Sequence, residues 1–263
     1  MDLLLNNKVA IVTGGAKGIG EAITRTLVKE GSRVAIFDKD QDRSVDLANE
    51  LGTNSILPVI IDLTDHQACK SGVEKTLNWS NNKLDFLINN AGVNDGAGLN
   101  NGIADFLTSL EKNLHHVYSL AHFCIPHIKS TQGSILNISS KVATTGQGNT
   151  SGYAAAKGAV NALTREWALE LAPSGVRVNA IAPSEVFTPL YESWLSSQED
   201  ADEVKKQIES QIPLGERMTT SQEIADLATF ILSPKSSHTT GQILYPDGGY
   251  THLDRACTKG LTF

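Results

Sequence analysis

The sequence predicts an α/β chain: a single domain built on a doubly wound parallel sheet of about seven strands, with helices on both faces. Three observations predict it. Short apolar runs alternate with amphipathic stretches of helical length from end to end. No Pro/Ser-rich linker, repeat or low-complexity tract divides the 263 residues. A glycine-rich turn joins the first apolar run to the first helical stretch.

The first strand is expected at Val9–Thr13, and T-G-G-A-K-G-I-G (Thr13–Gly20) then opens a helix over Gly18–Glu30. Backbone without Cβ atoms lets a pyrophosphate approach closely, and a helix N-terminus favours its charge. The spacing is G-x-x-x-G-x-G rather than the common G-x-G-x-x-G. Glycines in a turn can be only a turn; their place between strand and helix is what gives them the phosphate reading. The second strand, Arg33–Phe37, runs into Asp38, whose carboxylate can accept hydrogen bonds from an adenosine ribose. The same carboxylate repels a 2′-phosphate by roughly 4 kcal/mol at ~4 Å and an effective dielectric of ~20. Lys17 and Lys39 soften that, so NAD is expected, with NADP possible.

The third strand, Ile56–Ile61, leads to Asp62-Leu63, and the fourth, Leu84–Asn89, ends in Asn89-Asn90-Ala91-Gly92. Both follow carboxyl ends of strands, where open α/β sheets bind ligands, although an Asn pair also suits a helix cap. A helix over Gln67–Asn78 falls between them. The next, Phe106–Lys129, carries Asn113 in L-E-K-N-L-H-H. Asn is unfavourable inside a helix, which fits either a functional duty or a buried hydrogen bond.

After a fifth strand at Ser134–Ser139 come Ser140 and a helix over Gly152–Leu171 bearing Tyr153 and Lys157 one turn apart. A free phenol titrates near ~10, so acid–base work near pH 7 needs about 3 units of depression, roughly 4 kcal/mol. A cation at i+4 shares the helix face and supplies part of it. The sixth strand, Arg177–Ala182, precedes Pro183–Gln211, which is longer than a βα connection needs and reads as a mobile helical insert beside the site. A helix over Gln222–Leu232 and a strand at Gln242–Tyr245 complete the pattern.

Composition excludes several functions. A net charge of −7 argues against nucleic acid, and no run of about 18 apolar residues is present to span a membrane. The opening M-D-L-L-L-N-N-K is no signal peptide. Three scattered cysteines and seven histidines give no disulfide framework or metal-ligand spacing. A reduced, cytoplasmic chain is expected.

T-G-G-A-K-G-I-G, Asp38, Asp62-Leu63, N-N-A-G, Asn113, N-I-S-S, Y-A-A-A-K and R-V-N-A-I-A-P, in that order, resemble the short-chain dehydrogenase/reductase family across nearly the whole chain. The resemblance implies a Rossmann-like fold, a homotetramer and a nicotinamide cofactor. Tyr153 would be the acid/base, Lys157 would bind the nicotinamide ribose and depress the phenol, Ser140 would hold the substrate oxygen, and Asn113 would anchor a relay water. Cofactor contacts would come from Gly14, Lys17, Gly18, Ile19, Gly20, Asp38, Asp62, Leu63, Asn90, Ala91, Gly92, Pro183, Val186 and Thr188. One departure is clear: the family usually carries Pro-Gly after the sixth strand, where this chain has Pro183-Ser184-Glu185.

Asn94, Asp95, Gln147, Asn149, Glu185 and Tyr191 are expected around the substrate, or in part at the solvent-facing mouth of the cleft. Such a lining suits a polyhydroxylated ligand, since buried polar groups left unpaired cost ~1–3 kcal/mol each. Longer stretches, including S-S-K-V-A-T-T-G-Q-G-N-T-S-G-Y and D-G-G-Y-T-H-L-D-R-A, resemble the family's L-fucose dehydrogenase branch. That implies oxidation of an aldose's anomeric hydroxyl to a lactone, with Asp95, Asn149 and Glu185 gripping ring hydroxyls. The alternatives are a reductase of 3-oxoacyl or small ketone substrates and a non-catalytic nucleotide sensor. Asp254 and Arg255 are expected to reach a neighbouring subunit's site.

Overall fold

A computed structural model describes residues 1–252; Asp254 and Arg255 lie outside the described residues. The strands in chain order are β1 (Val9–Thr13), β2 (Arg33–Asp38), β3 (Ile56–Ile60), β4 (Phe86–Asn89), β5 (Ser134–Ile138), β6 (Arg177–Ile181), β7 (Val186–Phe187), β8 (Thr219–Thr220) and β9 (Ile243–Leu244). Seven of them form one parallel sheet in the order β3-β2-β1-β4-β5-β6-β9. The order reverses between β1 and β4, which opens a crevice at their carboxyl ends. β7 and β8 pair separately as a two-stranded ribbon.

The helices are α1 (Gly18–Lys29), α2 (Gln41–Leu51), α3 (His66–Ser80), α4 (Ile103–Leu110), α5 (His116–Thr131), α6 (Ser151–Leu171), α7 (Pro189–Leu195), α8 (Ala201–Glu209) and α9 (Ser221–Leu232). Alternation along the strands feeds two cores. Ala10, Val12, Val34 and Ile36 pack with Ile23 and Leu27 of α1, Leu47 of α2 and Ile224 of α9. Val9, Ile11, Ala35 and Phe37 pack on the other face with Val73 of α3, Leu120 of α5 and Val160 of α6. Both faces of the central strands are therefore covered, which is why they read as continuous apolar runs.

Three features depart from the expected elements. The helix expected over Phe106–Lys129 is broken by a π-helical turn, Glu111–His115, between α4 and α5. Asn113 sits in that turn, fully buried, with its Nδ2 donating to the Ser109 carbonyl at 2.9 Å and its Oδ1 accepting from Val93 N at 2.7 Å. Such turns, one residue wider than an α turn, recur at functional sites. α2 was not foreseen because its sequence is mostly polar; Asp40 starts it by accepting from Arg43 N at 3.1 Å. Between Pro183 and Gln211 the chain forms β7, α7 and α8, and β7 continues into neither sheet face.

Candidate active site

The turn after β1 is shaped by glycines at which a side chain would collide or strain the backbone. Gly14 and Gly18 adopt φ of +60° and +56°. A Cβ on Gly20 would lie 2.0 Å from the Gly14 carbonyl oxygen and 2.6 Å from Asn90 Nδ2. α1 starts at Lys17 with no side-chain cap, so its first N–H groups face outward. That is a receptor for an anion: bare amides, positive end of the dipole, and backbone that can be approached closely. Ile19 packs inward on the core. Thr188 stands opposite, 3.5 Å from where a Gly18 Cβ would be, and caps α7 by accepting from Tyr191 N.

Asp38, at the end of β2, stands beside that turn. Its Oδ2 accepts from Ala16 N at 3.2 Å and its Oδ1 from Asp40 N at 3.0 Å, which fixes the carboxylate beside the glycine turn. Lys17 Nζ is held by Asp40 at 2.5 Å, and that contact keeps the Asp40 carboxyl below the usual range. The charge expected to soften repulsion of a 2′-phosphate is thus already partnered. Asp62 accepts from Thr64 N and Oγ1, and Leu63 packs against the core beneath it. Asn90 ties β4 to the turn: its Nδ2 donates to the Thr13 and Gly14 carbonyls, while Asn90 N and Ala91 N donate to Thr13 Oγ1.

Gly92 is the hub of the catalytic side. A Cβ there would sit 3.0 Å from Asn113 Oδ1 and 3.2 Å from Lys157 Nζ, so the structure brings Asn113 and Lys157 to one point. Ser139 is buried with its hydroxyl donating to the Lys157 carbonyl, whereas the Ser140 hydroxyl lies close enough to the Tyr153 phenol to pull its pKa down. The charge relation differs from expectation. Lys157 Nζ donates to the Ile138 carbonyl at 2.7 Å and lies 5.6 Å from the Tyr153 ring centroid. Burial pushes the phenol up to about 12, with Ser140 pulling the other way, and it pushes the Lys157 ammonium down to about 8. Spacing at i+4 gives a shared face; it does not decide where the ammonium points.

On the substrate side, Glu185 forms an ion pair with Lys141, a residue the sequence reading passed over. Their side chains are only 14% and 10% exposed. Lys141 N donates to the Pro183 carbonyl at 2.9 Å, and Lys141 Nζ lies 4.3 Å from the Tyr250 ring centroid. Burial and then the Glu185 charge hold the Tyr191 phenol above its ordinary pKa, so it stays a donor to that carboxylate. Four distant segments meet at one charge pair. Removing one partner of such a pair leaves the other buried and alone: Lys141→Met is expected to cost about 3 kcal/mol of stability in urea denaturation, and Lys141→Met with Glu185→Gln less.

The other expected substrate residues divide. Asp95 accepts from Ser109 Oγ at 2.8 Å and lies 3.8 Å from Lys112 Nζ, so its carboxylate supports the Asn113 turn rather than standing free. Asn94, Gln147 and Asn149 are exposed. Asn149, at φ +54°, packs so closely on Gly98 that a Cβ there would come within 2.9 Å of its Cα. Val186 is buried in the core and pairs with Thr219. Among the described residues, no group of three or more His, Cys, Asp or Glu is placed to hold a metal. None of their helices is long and apolar enough to cross a membrane.

A glycine cradle stands at the sheet's topological switch point, with Tyr153, Lys157, Ser140 and Asn113 gathered beside it. The chain belongs to the short-chain dehydrogenase/reductase family, oxidoreductases acting on CH–OH groups. The family model described as "Enoyl-(Acyl carrier protein) reductase" matches residues 14–251. The chain is 37% identical to the L-fucose dehydrogenase of Mus musculus over 97% of its own length and 92% of that protein. It is similar to the crystal structure of Cj0485 dehydrogenase, with a TM-score of 0.93 and 48% identity over 97% of this chain and 98% of that one. It is also similar to the 3-ketoacyl-(acyl-carrier-protein) reductase from Brucella melitensis complexed with NADH: TM-score 0.86, 31% identity, covering 94% and 99%.

Proposed function

We propose that this chain oxidises the anomeric hydroxyl of an aldose, L-fucose or a close relative, to its lactone. The carrying observation is the charged, hydrogen-bonded Lys141–Glu185–Tyr191 cluster on the substrate side, where an apolar acyl chain would strand polar groups and a polyol would satisfy them. The mouse L-fucose dehydrogenase supports the same reading. NAD, when bound, supplies the hydride acceptor. Gly14, Gly18, Gly20 and the open end of α1 would hold its pyrophosphate, Asp38 its adenosine ribose, and the region of Gly92, Lys157 and Thr188 its nicotinamide half. Asp38 held by two backbone amides favours NAD over NADP. Tyr153 takes the hydroxyl proton, Ser140 orients the oxygen, Lys157 keeps the proton balance beside them, and Asn113 anchors a relay water.

Initial rates across L-fucose, D-arabinose, L-galactose and a 3-oxoacyl thioester test this. Turnover of at least one aldose with NAD is expected. Turnover of the thioester and none of the aldoses would replace the proposal with reduction of acyl substrates, the reading favoured by the likeness to the Brucella melitensis reductase. The proposal includes a homotetramer in the cytoplasm. An apolar depression of about 490 Å³ on α5 and α6, lined by His66, Leu114, Tyr118 and Leu163, supports a subunit interface, and light scattering reads the mass.

A further inference from the structure

Around Lys157 the protein buries polar atoms that have no partner among the described residues. His116 opens α5, is 0% exposed, and has the Ala91 backbone beside its ring, which leaves one ring nitrogen without a hydrogen-bond partner among the described residues. Asn89 Oδ1 and Asn161 Oδ1 likewise lack one there. These atoms share one region. Lys157, Asn161 and Thr164 lie on one face of α6 at helical spacing. Thr164 Oγ1 accepts from Asn137 Nδ2 and Asn137 Oδ1 accepts from Asn89 Nδ2, both at 2.9 Å, which fixes the two asparagines against that face. His116 is one turn on from Asn113 and close enough to Lys157 that the ammonium's charge helps hold the imidazole down to about 4, after burial. Its ring is therefore neutral near pH 7, with one nitrogen a donor and the other an acceptor.

Buried polar atoms in native proteins are paired, and where no side chain does it, ordered water does. An ammonium has three protons. One of Lys157's is donated to the Ile138 carbonyl, and no other acceptor for Nζ stands among the described residues. We infer that His116 is a positioning residue for the catalytic lysine: with Asn161 and Asn89 it holds buried water that accepts one of the remaining ammonium protons. This water is distinct from one anchored at Asn113, and it sets both where Nζ sits and how readily it stays protonated. The other titratable or charged side chains around the site are Tyr153 on α6, His115 beside His116, the Lys112–Asp95 pair beyond Ser109, and the Lys141–Glu185 pair beyond Ser140. The inference rests on Lys157 acting beside Tyr153 as proposed above.

The test is the pH dependence of kcat for His116→Phe, His116→Gln and Asn161→Leu in the full chain, with whichever panel substrate is turned over fastest. His116→Phe removes the water's partner and desolvates the ammonium further, so Lys157 loses its proton at lower pH. The alkaline limb should move down by about one unit and kcat at pH 8 should fall about tenfold. His116→Gln, which still donates and accepts, should keep the wild-type limb, and Asn161→Leu should move it in the same direction as Phe. A crystal structure of the wild-type chain should show ordered water bonded to His116 and Lys157. Unmoved limbs in His116→Phe and Asn161→Leu, or a dry pocket, overturn the inference. Lys157→Met retaining full turnover overturns the catalytic reading beneath it, which is a different outcome.

Discussion

Tyr153→Phe should reduce kcat by on the order of 10³-fold while the protein keeps its fold and its affinity for NADH. The change deletes one oxygen from a side chain whose ring stays packed on α6. What that oxygen does is set by its surroundings. Burial holds the phenol at about 12, Ser140 alone works against it, and Lys157 Nζ donates its hydrogen bond to the Ile138 carbonyl. Near pH 7 that phenol is overwhelmingly protonated. The ligand-free chain is therefore poised as an acid, and a base must be made of it by positive charge arriving at the site. The sign of the pH dependence follows. In the oxidative direction the phenol must be deprotonated, so kcat rises with pH up to its working pKa, about tenfold per unit below it. In Tyr153→Phe that limb disappears and a low, flat rate remains. A variant that keeps more than a tenth of wild-type kcat, with the limb intact, would remove Tyr153 from the chemistry.

The strands were legible because each is an apolar run closed by a turn residue, and seven such runs leave little choice but a parallel sheet. The cradle was legible because Gly14 and Gly20 stand where a side chain would collide and Gly18 turns the backbone through a positive φ. What was not legible depends on contacts between distant segments. Lys141 follows two serines and looks like a surface residue until Glu185, one strand later, is folded against it. The π turn exists because Asn113 is held between Ser109 and Val93, a bargain made in three dimensions. Asp95 reads as a free carboxylate until Ser109 reaches it. His116 drew no attention in L-H-H, since only the packing of α5 on β4 and the π turn reveals it as buried. In each case the residue type was visible and its partner was not.

Gly20→Ala should be the most damaging single methyl group added to the cofactor cradle. On helix propensity alone the change would be favourable by about 1 kcal/mol. Geometry reverses the sign. The new Cβ would lie 2.0 Å from the Gly14 carbonyl oxygen, 2.8 Å from its carbon and 2.6 Å from Asn90 Nδ2. Two of these are backbone atoms, so no rotamer change relieves the overlap. Overpacking of this kind costs about 1–3 kcal/mol, and a backbone collision belongs at the upper end, which leaves a net loss near 2 kcal/mol. The function should suffer more than the fold. Gly14 and Asn90 are joined by the hydrogen bonds that close the turn, so pushing them apart spreads the amides that would face the pyrophosphate. NADH affinity is expected to fall at least about 100-fold, because a displaced donor set loses several charge-assisted bonds at once. Gly18→Ala provides the contrast. Its Cβ would meet Thr188 at an ordinary 3.5 Å, and its φ of +56° carries a cost of only about 1 kcal/mol. Titration of both variants with NADH, followed by fluorescence, should therefore rank Gly20→Ala well below Gly18→Ala. The reverse order, or wild-type affinity in Gly20→Ala, would mean the cofactor's phosphates lie somewhere other than this turn.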